Sequence, residues 1–132
     1  MKNLETGLLF RQTATVQEDM LACRVGSGEL AVYATPALIA LVEKTAAEGL
    51  KEYLLPEQSS VGTKAEISHL APTPLGMQVT AEVVIQEIDR RRVVFSVRVT
   101  DEKEKIAEGT HERFIIDKVR FMEKAQAKKE KA

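Results

Sequence analysis

Cysteine is almost missing from this 132-residue chain, where Cys23 stands alone. A single thiol excludes an internal disulfide and any multi-cysteine metal site, and it fits a reduced, intracellular setting. An excess of one charge is missing as well. Against 20 Asp and Glu stand 19 Lys and Arg, a formal net charge of -1, so no broad basic face for nucleic acid is expected. No run approaches the ~18 apolar residues that a membrane span requires. The opening stretch from Met1 to Gly7 lacks the long apolar run of a secretory signal. A cytoplasmic protein with neither membrane nor nucleic acid as partner is the expectation. Gly-rich phosphate loops, metal-ligand spacings and the G-x-S-x-G elbow are absent too, so no metal and no other cofactor is expected.

What is present is ordinary for a globular protein: 44% apolar and 30% charged residues. The length suits one domain over 1–132, large enough to bury a core and small enough to gain by pairing. Leu8 to Val16 reads as an edge strand. Gly26-Ser27-Gly28 opens a loop that runs to Thr35-Pro36. There Thr35 is expected to cap a helix, with Pro36 at its first position, where a missing N–H costs nothing.

That helix, Pro36 to about Leu50, begins with six apolar residues, Ala37 to Val42. Lys44, Glu48 and Lys51 cluster on one side at the helical period, opposite Leu38, Ile39, Val42, Ala46, Gly49 and Leu50. So wide an apolar face suits a helix largely enclosed by other elements. Glu43 lies on its flank, beside Ile39 and Leu50, where a carboxylate is partly desolvated.

From Val61 onward the chain reads as strand. Val61, Ala65, Ile67 and His69 are expected on one apolar face, alternating with Lys64, Glu66 and Ser68. Prolines at 72 and 74 end this strand. A second strand spans about Gln78 to Ile88, and Asp89-Arg90-Arg91 turns into a third carrying Val93, Phe95, Val97 and Val99. A fourth follows from Ile106 to Ile116, and 118–132 is a charged tail that reads as a solvated helix or a frayed end. One antiparallel meander and one apolar helix make an α+β domain with the sheet wrapped around the helix.

His69 leads the residues capable of chemistry, because only histidine titrates near neutrality unperturbed. The plainer alternative is a buried ring bonded to a backbone carbonyl. Glu43 suits water activation, nucleophilic attack or orientation of an imidazole; the plainer alternative is a flank residue whose head reaches solvent. Thr35 has its cap role, yet a helix start also attracts developing negative charge. Gly62 admits close backbone approach to an oxyanion, or is a strand bulge. His111 and Arg113 share one strand face with Gly109 and read as surface sheet residues. Arg90-Arg91-Arg92 reads as a solvated turn rather than an anion site, and nothing marks Cys23 as activated.

Several runs in order change this picture. Val61-Gly62-Thr63, then His69, Ala71, Thr73-Pro74 and Gly76-Met77, resembles the central motif of the fluoroacetyl-CoA thioesterase family. Glu108-Gly109-Thr110-His111-Glu112-Arg113 resembles its last-strand motif, and Thr35 to Glu43 and the Arg91-Arg92 hairpin also align. The likeness runs from about Leu8 to Phe121. It implies a hot-dog fold, an antiparallel sheet wrapped around one long central helix, in a homodimer with sites at the subunit interface. It implies hydrolysis of an acyl-CoA substrate, with a catalytic triad on Thr35, Glu43 and His69. Gly62 would then lie at the substrate carbonyl, and Arg113 would contact substrate. One departure is visible: the family's phenylalanines before the threonine have no counterpart in Val25 to Leu30, and Tyr33 is the nearest aromatic. Another short or medium acyl group is therefore expected.

In that reading the Gly62 N–H holds the carbonyl oxygen, and His69 takes a proton from water or Thr35. Glu43 orients His69 or attacks directly. Thr35 and Glu43 stand about 12 Å apart along a helix, so they meet at one substrate only if Thr35 lies off the helix axis or if the two come from different subunits, and the shared site is favoured. A hot-dog module that binds acyl-CoA without turnover is the competing class, and a hydratase or dehydratase is a more distant third.

Overall fold

The computed structural model describes residues 3–130. Met1 and Lys2 of the opening stretch, and the last two residues of the 118–132 tail, lie outside the described residues. Five strands and one long helix dominate. Strand β1 is Leu9–Thr15, β2 Gln58–His69, β3 Gln78–Asp89, β4 Arg92–Asp101 and β5 Lys105–Asp117. Helix α1 is the short Ala22–Val25, α2 the long Thr35–Lys51 and α3 the terminal Lys118–Ala127.

All strand pairs are antiparallel, in the order β1-β3-β4-β5-β2. The edges are therefore β1, as expected, and the 12-residue β2. The period-2 patterns of β3 and β4 do what they predict. Val79, Ala81, Val83, Ile85, Val93, Phe95, Val97 and Val99 are all buried, forming one apolar face against α2. Helix α2 answers with Leu38, Leu41, Val42, Ala46 and Leu50, while Lys44, Glu48 and Lys51 stay in solvent. Aliphatic burial on this scale, at roughly 25 cal/mol per Å² of apolar surface, dominates the stability of the layer. The Phe10 ring lies over Gly49, where any side chain would collide with it.

Two local expectations fail. The N-cap of α2 is Ala34, with no side-chain cap bond, and Thr35 is already helical. Its hydroxyl is engaged elsewhere, and Pro36, second in the helix rather than first, has no N–H to leave unpaired. In β2 the alternation is broken by a bulge between Gly62 and Lys64. Thr63 is the extra residue, so the side reverses there. Val61 pairs with the exposed Phe114, whereas Gly62 pairs with the buried Arg113. Gly62, Ala65, Ile67 and His69 thus share the inner face, and Val61 faces outward.

Before α2 the chain makes a 3-10 turn at Glu18–Met20 and then α1, ended by Gly26 at φ 94°, a left-handed position natural for glycine. The following loop is pinned: Tyr33 N–H donates to the Thr73 carbonyl at 2.8 Å and Ala34 N–H to the Met20 carbonyl at 2.8 Å. These bonds set the start of α2 beside the end of β2. Among the described residues no helix is long and apolar enough to cross a membrane.

Candidate active site

Two clusters hold the residues singled out by the sequence. The first joins Thr35 to His69. The Thr35 hydroxyl lies 2.7 Å from His69 Nδ1, because α2 starts where β2 ends. His69 Nε2 is buried and has no hydrogen-bond partner among the described residues. Burial pushes the His69 pKa below the ordinary histidine value, and the Ala71 backbone offsets this in part. A ring that stays neutral near pH 7 keeps a lone pair ready to take a proton. Thr35 and His69 line a cleft of about 260 Å³ with Ala22, Ser27, Tyr33 and Ala71. Tyr33 donates weakly to the Ala37 carbonyl at 3.4 Å, and burial drives its phenol pKa up to about 12. It is a neutral wall at any physiological pH.

The second cluster joins Glu43, Gly62 and Arg113. Arg113 Nη1 stands 3.8 Å from Glu43 Oε2, with the Arg113 side chain 8% exposed and that of Glu43 47%. Gly62 lies against both: a Cβ there would sit 2.5 Å from Glu43 Oε2 and 3.3 Å from Arg113 Nη1. Only a glycine leaves room for a ligand atom to approach the backbone between the carboxylate and the guanidinium. Burial lowers the Arg113 pKa, and Glu43 counters it.

His111 and Arg113 are not surface residues, as their bare sequence context suggested, but 1% and 6% exposed. The signal was present: Glu108 and Glu112, on the other parity of β5, mark the outer face. Ser60 was missed entirely. Its hydroxyl accepts from Arg113 Nε at 2.9 Å and its carbonyl from Nη2 at 2.9 Å, an inward orientation visible only once the bulge is known.

Within one chain the expected triad is thus split. Thr35 and His69 meet, whereas Glu43 keeps company with Gly62 and Arg113. Six strand residues lie between Gly62 and His69, a span of roughly 20 Å. Among the described residues no cluster of His, Cys, Asp and Glu is arranged to hold a metal ion.

The same architecture recurs in solved structures. A structure of the fluoroacetyl-CoA thioesterase superposes with a TM-score of 0.90 at 28% identity, covering 96% of this chain and 98% of that one. A hot-dog-like protein from Thermanaerovibrio acidaminovorans superposes at 0.84 with 27% identity, covering 93% and 91%. The fold is the hot-dog fold. Residues 16–119 match the family described as fluoroacetyl-CoA-specific thioesterase. The fluoroacetyl-CoA thioesterase of Streptantibioticus cattleyicolor is 33% identical over 97 residues, 74% of this chain and 70% of that protein. The chain belongs to this family, and with it to the acyl-CoA thioester hydrolases.

Proposed function

We propose that the protein hydrolyses a short- or medium-chain acyl-CoA at a site assembled from two copies of the chain. The supporting observation is the split itself. The two clusters occupy opposite ends of the inner face of β2, an edge strand with one side unpaired. Unpaired edges invite pairing with another strand. Antiparallel pairing of β2 with its own copy, about a two-fold midway between Gly62 and His69, exchanges the two ends. Thr35 and His69 of one protomer then face Glu43, Gly62 and Arg113 of the other, and Ile39, Ala65 and Ile67 line the seam between them.

The chemistry follows from these partners. The Gly62 N–H stabilises the carbonyl oxygen as it gains charge, and Arg113 anchors the acyl-CoA. His69 accepts a proton from the Thr35 hydroxyl or from water, and the oxygen so activated attacks the thioester carbon. The C–S bond breaks, and His69 returns the proton to the departing CoA sulfur. Where the Thr35 oxygen attacked, a water deprotonated by His69 then hydrolyses the acyl-threonine ester, freeing the acid and restoring the hydroxyl. Glu43 acts across the interface, orienting the imidazole or the attacking group. The cleft beside Thr35 and His69 is walled by Ala22, Val32, Tyr33, Leu70 and Ala71, with no phenylalanine among the described residues that line it. Acyl groups other than fluoroacetyl therefore fit this site, and the working location is the cytoplasm.

Thiol release from a panel of acyl-CoAs, with His69→Ala as control, tests this. Release that peaks at one short or medium acyl group and falls by about 10²-fold or more in the variant is expected. Tight binding without His69-dependent release supports instead a non-catalytic acyl-CoA-binding module.

A further inference from the structure

We infer that His111 is a positioning residue: with its proton on Nδ1, it locks the Arg113 guanidinium and the strand bulge beside Gly62 into one arrangement. This rests on the reading above that Arg113 contacts the substrate.

The hydrogen bonds fix the tautomer. His111 Nδ1 lies 2.8 Å from the Lys64 carbonyl, which only accepts, so Nδ1 carries the proton. Arg113 Nη1 lies 3.2 Å from His111 Nε2, and a guanidinium only donates, so Nε2 offers its lone pair. A neutral imidazole satisfies both bonds and an imidazolium satisfies one. Lys64 is the residue after the bulge, two beyond Gly62. One ring therefore ties the backbone that shapes the Gly62 approach to the side chain that pairs with Glu43.

The pocket around the ring enforces this state. Phe95 of β4 stacks on it at 6.2 Å with an interplanar angle of 22°. From β5 come Arg113 and the more distant charge of Glu112, from β2 the Lys64 carbonyl, and from α2 Glu43. Burial lowers the His111 pKa most; Lys64 opposes, Arg113 adds to the lowering, and Glu43 and Glu112 oppose. Protonation would set two cations against each other and break the Arg113 Nη1 bond to the ring, leaving the guanidinium held by Ser60 alone on its other side. The pair is a latch, closed while His111 is neutral.

His111→Asn keeps an N–H for the Lys64 carbonyl and removes the acceptor for Arg113. The KM for the preferred acyl-CoA is expected to rise about tenfold at neutral pH, the equivalent of one charge-assisted hydrogen bond. In the wild type KM climbs as pH falls below 6.5, and in the variant that climb is gone. Nitrogen-15 correlation spectra of the wild-type imidazole at neutral pH should show the Nδ1–H tautomer. A ring protonated on Nε2, or a variant with altered Tm but unchanged KM and unchanged KM against pH, overturns the inference. Arg113→Ala, assayed alongside, separates the failures. If it raises KM while His111→Asn does not, only the latch falls; if neither does, the assignment of Arg113 to substrate falls with it.

Discussion

At the scale of single residues, the central fact is that Thr35 spends its hydroxyl on His69 rather than on the helix start. A capping threonine would cost about 1 kcal/mol of stability on removal. Here Thr35→Val should leave Tm nearly unchanged and lower kcat by about 10²-fold, with Thr35→Ser recovering most of the loss. Steady-state kinetics beside thermal melts decide between the two roles. The sequence could not: a threonine before a proline carries the cap signature whether or not the side chain turns away. His69 was legible, since its inward parity and the proline-broken turn after it are both in the sequence. Its acidity adds a further expectation. Burial holds the folded pKa below 6.5, and a general base must be neutral. Activity in kcat should therefore be full above 6.5 and decline only as pH falls through that lowered value. A decline centred above 6.5 would show that another group governs the rate.

Among the elements, β3 and β4 were readable almost residue by residue over 79–85 and 93–99, because both are interior strands whose period of two holds across those stretches and breaks only beyond them. Strand β2 was not. Gly62 offered a bulge as one of its two readings, and the register does shift there, but the alternation of apolar residues around it looks continuous and hides the change of side. The hydroxyl of Thr63 donates to Glu112 Oε2 at 2.7 Å, a bond on the outer face that stabilises the inserted residue. The consequence is functional, since the bulge turns Gly62 inward beside Glu43 and Arg113. Gly62→Ala would place a methyl group 2.5 Å from the Glu43 carboxylate and force it away. The expected result is a loss in kcat/KM of more than about tenfold with a stability change under about 1 kcal/mol. Unchanged kcat/KM in a folded Gly62→Ala protein would remove this glycine from the site. Helix α2 sits between these cases. Its buried stripe was evident from periodicity, but nothing in the pattern says that Thr35, Ile39 and Glu43, each four residues from the next, look toward β2.

For the whole molecule, the sheet-around-helix architecture followed from element order and periodicity, whereas the division of the site did not. Residues distant in sequence meet only through register, and register at β2 depends on the bulge. The fold leaves β2 unpaired along its outer side and keeps the Thr35–His69 and Glu43–Gly62–Arg113 groups apart within one chain. In the homodimer proposed above, pairing two copies resolves both at once. The most direct test is complementation between His69→Ala and Glu43→Gln chains, each inactive alone. In a shared site, a randomly assorted mixture contains heterodimers with one intact site, and about a quarter of wild-type activity returns. If each chain carries its own complete site, every site in the mixture retains a lesion, and activity stays at the level of the separate variants.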